Sequence, residues 1–206
     1  MAGVWGPIVS AVALREAIRS TLQLWLPSTV AEVARQAGVD PATILPVRSW
    51  HVVSFEQARE DQLPAVFVTS PGLAGEPRRR GTGLITADWN ATVVVLARAE
   101  SHEATAKLVS LYTAAARVVC VQRSGFGGFA AACEWTGEDY DVVEDRKGRT
   151  LGGGFVDLVV TVSNVVDANG GPLEPPADPL TPAGDWPVVA TTRTDVIHVP
   201  PDQELP

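Results

Sequence analysis

Between Ala11 and Leu26 the apolar positions Leu14, Ile18, Leu22, Trp25 and Leu26 recur at three- and four-residue steps, with Arg15, Glu16, Arg19 and Gln23 between them. That spacing places one apolar stripe along an amphipathic helix. Pro27 lacks the amide that a helix interior needs, so the helix is expected to stop there. Thr29 followed by Glu32 has the form of a capping box, which predicts a second short helix through Ala37, ended by Gly38. The segment therefore reads as a helical hairpin or a kinked helix. Asp40-Pro41 can cap one further turn before Pro46 turns the chain out.

The period then changes. Arg48 to Phe55, Ala65 to Thr69 and Leu84 to Ala99 are rich in β-branched and aromatic residues and read as strands. Between the second and third lies Ser70 to Gly83, with four glycines and two prolines around Arg78-Arg79-Arg80, which reads as a long, flexible, locally basic loop. Ser101 caps a helix from His102 to about Gln122, with Leu108, Leu111, Tyr112, Ala115 and Val119 on one side. Gly125, Gly127 and Gly128 end it. Phe129 to Trp135, Tyr140 to Glu144 and Arg149 to Val166 read as strands, the last two joined by a turn at Arg146-Lys147-Gly148. In the final strand Val156, Leu158, Val160 and Val162 alternate with Asp157, Val159, Thr161 and Ser163, so one face is buried and one is semi-polar. Gly152-Gly153-Gly154 at its start indicates a bulge or a close backbone contact. Strands and helices do not alternate regularly, so the expected class is α+β, with a mostly antiparallel sheet packed against two main helices.

At Asp167 the pattern ends. The remaining 40 residues hold nine of the 16 prolines, one basic residue and seven acidic ones, a net charge of 1 − 7 = −6 out of the chain's −8. Proline removes backbone donors, so this stretch cannot build a central strand or a long helix. The expected organisation is an α+β domain over residues 1–166 and an acidic, proline-rich arm over residues 167–206. Surfaces of other subunits are the natural partners of such an arm.

Bulk composition narrows the function classes. At 206 residues with 46% hydrophobic and 19% charged, the chain has the make-up of a globular protein with a real core. No apolar run reaches the roughly 20 residues that span a bilayer, and Met1 to Ser10 lacks the basic start of a secretory signal, so neither membrane insertion nor export is expected. An acidic balance argues against a dedicated nucleic-acid binder. Cys120 and Cys133 sit in apolar surroundings and read as buried thiols.

Sites of chemistry are not apparent. Gly125-Phe126-Gly127-Gly128 follows a helix and opens a strand, the reverse of a phosphate-binding loop, and no lysine-serine or lysine-threonine step follows it. The carboxylates Glu138, Asp139, Asp141, Glu144 and Asp145 match no calcium loop and read as a solvated hairpin. His51, His102 and His198 lie far apart, without partners at metal-ligand spacing. No serine or cysteine has a recognisable activating partner, so catalytic, cofactor and metal residues are all assigned as none. Arg78, Arg79 and Arg80 are the one basic concentration. Three neighbouring guanidinium groups suit carboxylate or phosphate contact, and a merely solvated loop is the alternative. As a functional element the triplet is expected to pair with an acidic surface of a neighbouring subunit, because three charges give little affinity for DNA.

The helix from Ala11, the strand ending in Pro64-Ala65-Val66-Phe67-Val68, the long strand about Trp89 to Ala99, the Ser101-to-Gln122 helix and the closing strand Phe155 to Val166 form a recognisable layout. Over Ala11 to Val166 the chain resembles the tail terminator, or tail-completion, proteins of long-tailed bacteriophages, especially those of actinobacterial hosts. The resemblance implies a structural virion protein, not an enzyme, assembled in the host cytoplasm. It implies a homohexameric ring at the head-proximal end of the tail that stops polymerisation of the tail tube protein and docks to the head connector or stopper. DNA would pass through the lumen without specific binding. The arm departs from the compact family pattern; Trp186 to Thr192 and Asp195 to Val199 can each add a strand to an adjacent sheet, which marks Trp186, Val188, Val196 and Ile197 as partner-binding residues. Two other readings stand beside this one: a head-side connector or stopper protein, and a cytosolic enzyme or ligand-binding domain whose site residues converge only in space.

Overall fold

A computed structural model describes residues 8–52, 59–144 and 150–167. The arm beyond Asp167, and with it Trp186, Val188, Val196 and Ile197, lies outside the described residues, as does the expected turn at Arg146-Lys147-Gly148. The fold is α+β: two helices and a six-stranded mixed sheet.

Helix α1 runs unbroken from Ala11 to Gln36, with Ser10 Oγ accepting from the Ala13 amide at its start. Pro27 does not stop it. The buried positions Leu14, Ile18, Leu22, Leu26, Val30 and Ala34 recur at every fourth residue straight across the proline, so ending the helix would strip two residues from the core. The Ser28 and Thr29 hydroxyls both donate to the Trp25 carbonyl, turning them back into the helix at the point where proline withdraws an amide. Glu32 accordingly does not close a capping box. It pairs forward with Arg35 and Gln36. Tertiary burial overrides local chain-breaking here. A 3₁₀ turn, Pro41–Thr43, follows, capped by Asp40 as its sequence indicates.

The strands are β1 (Ser49–His51), β2 (Ala65–Leu73), β3 (Arg78–Arg79), β4 (Leu84–Ala97), β5 (Ala132–Glu144) and β6 (Thr150–Asp167). Their order is β1-β2-β4-β6-β5, with β3 paired to β4. Among the described residues only β1 with β2 is parallel, and every other pairing is antiparallel. The first strand, expected over Arg48 to Phe55, spans Ser49–His51 among the described residues; Val53 to Phe55 lie outside them. At the far end, the two strands expected over Phe129 to Trp135 and Tyr140 to Glu144 are one strand, because a bulge between Trp135 and Gly137 absorbs the irregular stretch and keeps the register with β6.

Helix α2 spans His102–Gln122 and is capped by Ser101, as expected. By length and composition it is apolar enough to cross a membrane, which the count of apolar runs did not anticipate. In the fold Val109, Tyr112, Ala115, Ala116, Val119 and Cys120 are buried against α1 and the sheet. Both helices lie on one sheet face, over Val66, Val68, Val93, Val95, Val156, Leu158, Val160 and Val162. The alternation read in β6 is therefore realised. The opposite face carries a smaller cluster, Leu63, Ala65, Phe67, Val94 and Leu96 with Phe155 against it, to which neither helix contributes.

The triple glycine brings helix and sheet together. A Cβ on Gly152 would lie 2.6 Å from Val109 Cγ2 and 2.8 Å from Thr105 Cγ2, and one on Gly154 would lie 1.9 Å from Thr113 Oγ1. Thr105, Val109 and Thr113 are successive fourth residues on one side of α2, so that helix rests directly on bare backbone. Of the bulge or close contact expected from the sequence, the close contact is found, at Gly152 and Gly154, while Gly153 faces the opposite side toward Leu96.

Candidate interaction surface

Ser70 to Gly83 is not the long flexible loop that its glycines and prolines indicate. Strand β2 continues through Pro71 and Gly72, where its register with β4 shifts, and pairs Gly72 with Asn90 and Leu73 with Trp89. The chain then returns as β3, pairing Arg78 with Thr86 and Arg79 with Ile85. The Arg80 amide donates to the Leu84 carbonyl (2.8 Å) and the Gly83 amide to the Arg80 carbonyl (2.9 Å), closing a tight turn with Gly83 at φ +87°. The arginine triplet thus sits on a β-tongue. Backbone hydrogen bonds to the neighbouring strand decide this, and composition does not show them.

The three arginines do not act alike. Arg78 Nη2 contacts both Asp88 oxygens, at 2.8 and 2.7 Å, and Thr161 Oγ1 donates to Asp88 Oδ1 at 2.7 Å. Its charge is used within the chain, at a pair exposed enough to be worth well under about 1 kcal/mol. Arg79 and Arg80 are exposed and form no ion pair with any described residue. Side chains alternate along a strand, so the tongue presents guanidinium groups on both faces.

Strand β5 lies at the opposite edge of the sheet and, among the described residues, pairs with β6 alone. Glu134, Asp139 and Asp141 are exposed along it and stand opposite Val159, Phe155 and Gly153 of β6, which places them on the face away from the helices. Trp135, Glu138 and Tyr140 stand opposite Leu158, Val156 and Gly154, on the helix side. There Arg117 of α2 donates to Glu138 Oε2 at 2.9 Å and lies 4.9 Å over the Trp135 ring, while the Tyr140 hydroxyl donates to Glu138 Oε1. Trp135 and Tyr140 are nonetheless 44% and 43% exposed. This edge is a pinned aromatic pair with a carboxylate row behind it. The sequence showed the carboxylates but read them as a solvated hairpin; Trp135 and Tyr140 flanking them were the available signal.

Gly125 to Gly128 terminates α2 and leads into β5 as expected, through a 3₁₀ turn (Phe126–Gly128) with Phe126 buried at φ +44°. His51 stacks on Phe67 with centroids 4.7 Å apart, and His102 opens α2, so the structure does not bring these two together. His198 lies outside the described residues. Among the described residues no group of three or more histidine, cysteine or carboxylate side chains is placed to hold a metal ion. A cleft of about 230 Å³ is lined largely by apolar residues, including Leu26, Pro27, Val30, Ile44 and Trp50, with Tyr112 at its base donating to the Leu45 carbonyl.

No model of a known protein family matches the chain, and no curated protein sequence matches it significantly. The functional reading therefore rests on the two sheet edges and on the layout of the chain.

Cys120 is buried, Cys133 half-buried, and both are free thiols. Burial pushes Cys133 from 9.0 up to about 11, and it pushes Cys120 up too, aided by the neighbouring Cys133. Burial also raises Tyr112 from 10.0 to about 12. Each raised value means that the folded state holds its proton more tightly than the unfolded chain does. The associated stability is complete below pH 9 and is lost as pH rises from 9 through about 11 and 12. The melting temperature is expected to fall continuously across that window. A serine at both cysteine positions should flatten the part between pH 9 and 11, read by thermal denaturation at each pH; an unchanged slope would show that the thiols are not the titrating groups.

Proposed function

We propose that this chain is a structural virion protein that forms a homohexameric ring at the head-proximal end of a phage tail, where it ends polymerisation of the tail tube and joins tail to head. The observation that carries the reading is the pair of dissimilar exposed edges on one sheet: a basic tongue beside β4 and an acidic, aromatic edge at β5. A subunit whose two contact surfaces differ and lie on opposite sides associates head to tail, and when the rotation closes the product is a ring rather than a filament. Closure occupies both of these surfaces on every subunit, and the two flat sides of the ring are left for the tail tube protein and the head connector or stopper. The resemblance of Ala11 to Val166 to tail terminator proteins supports this station. The formal net charge of −8, most of it on residues 167–206, gives the chain no clustered basic surface for specific DNA binding, which fits passage of DNA without specific contact. The reading needs no cofactor, metal or membrane.

The test is negative-stain electron microscopy of the concentrated full-length chain, alone and with tail tubes. Closed rings with a lumen wide enough for duplex DNA, sitting at tube ends and shortening the tubes formed, are the expected result. Rings that bind a head connector and ignore the tube would move the protein to the head side. Single small particles under both conditions would remove the ring.

A further inference from the structure

We propose that the Arg78–Arg80 tongue of one copy docks on the β5 edge of the next, with Arg79 and Arg80 facing Glu134, Asp139 and Asp141. The inference rests on the ring reading above and specifies the contact that would close it.

Three observations lead here. First, the tongue and β5 lie on opposite sides of the sheet: β3 pairs with the side of β4 away from β6, and β5 pairs with the side of β6 away from β4. One contact therefore uses both surfaces, and every copy keeps one of each for the next neighbour. Second, the charges match. Arg79 and Arg80 are exposed without an acidic partner among the described residues, and Glu134, Asp139 and Asp141 are exposed without a basic one. Third, the same charges reject the alternatives. Two β5 edges brought together would oppose carboxylate rows, and two tongues would oppose guanidinium groups, so a two-fold dimer through either edge is disfavoured. Charged residues and a bulge are the devices that keep a free edge from pairing indiscriminately, and β5 carries both. A cationic strand is the partner that such an edge admits.

Trp135 and Tyr140 would supply the apolar part of the contact. Arg117 and Glu138 hold both rings in place before association, so little side-chain freedom is lost on docking. Aromatic side chains surrounded by charged ones are the usual composition of an energetic centre with a polar rim.

The experiment is a charge swap in the full-length chain, followed by light scattering after size exclusion and by electron microscopy. One variant carries Arg79→Glu and Arg80→Glu; a second carries Glu134→Lys, Asp139→Lys and Asp141→Lys. All five side chains are exposed, and circular dichroism should show both variants folded. Each alone should raise the concentration for half-assembly by at least about tenfold, since like charges then oppose each other. An equimolar mixture should restore assembly, because in alternating order every tongue meets an edge of opposite sign. If the wild type assembles and either variant assembles equally well, or if both fail and the mixture does not recover, the contact is wrong while the ring stands. If the wild type fails to assemble even with tail tubes present, the ring reading falls and the contact falls with it.

Discussion

Replacing Gly154 with alanine is expected to destabilise the domain by about 3 kcal/mol, near the upper end of the usual range for overpacking. Strand β6 brings this residue under α2, and an added methyl carbon would lie 1.9 Å from Thr113 Oγ1, 3.1 Å from Thr113 Cβ and 3.0 Å from Val109 Cγ1. No rotamer change of Thr113 removes the contact with its own Cβ, and that hydroxyl already donates to the Val109 carbonyl at 2.8 Å. The helix must therefore lift. Lifting α2 loosens Tyr112, Ala116 and Val119 from the sheet, all of them buried. Urea denaturation of Gly154→Ala, Thr113→Ala and the double variant tests this directly. If the clash is the cause, Thr113→Ala recovers part of the loss and the cycle shows a coupling of about 1 kcal/mol or more. A Gly154→Ala protein within about 0.5 kcal/mol of the wild type, the usual size of a surface substitution, would mean that the helix does not rest on the strand.

Phe67→Ala is the second large effect, at about 3–5 kcal/mol, the range for emptying a buried aromatic site. Phe67 is 1% exposed and belongs to the cluster on the sheet face that neither helix covers, beside Ala65, Val94 and Leu96. Its ring also stacks on His51, 19° from parallel. Truncation would open a cavity there and leave His51, whose Nε2 is buried without a hydrogen-bond partner among the described residues, with no ring beneath it. Phe67→Leu keeps most of the volume and should lose less than about 1.5 kcal/mol. Both are measured by thermal and urea unfolding. A loss under 1 kcal/mol for the alanine variant would show that the second cluster adds little and that the helix-side core alone sustains the fold.

The acidic edge and the basic tongue were only half legible. The carboxylates and the arginine triplet are plain in the sequence, but whether a charged run is a solvated turn or the border of a sheet depends on pairing partners far away in the chain. Asp88 shows why. It takes Arg78 out of the set of free cations, and it is itself held by Thr161, 73 positions further on. Trp135 and Tyr140 were missed for a related reason: Arg117, which lies over the Trp135 ring and holds the Glu138 that Tyr140 contacts, comes from α2 and not from their own strand.

What the sequence determined by itself is the part governed by short-range periodicity and local caps: the α+β class, the capped α2 and its buried stripe, and the two-faced alternation of β6, whereas the choice between a bulge and a close contact at Gly152 to Gly154 was made by the packing of α2. The first three each follow from neighbours within a few residues, where backbone geometry fixes which side chains share a face. The tertiary structure alone decided the continuity of α1 through Pro27, the fusion of two expected strands into β5, and the folding of a glycine- and proline-rich stretch into a tongue. In those places local preference was weak or contrary. Burial of Val30 and Ala34, and ladders of backbone hydrogen bonds to β4 and β6, supplied the larger free energy.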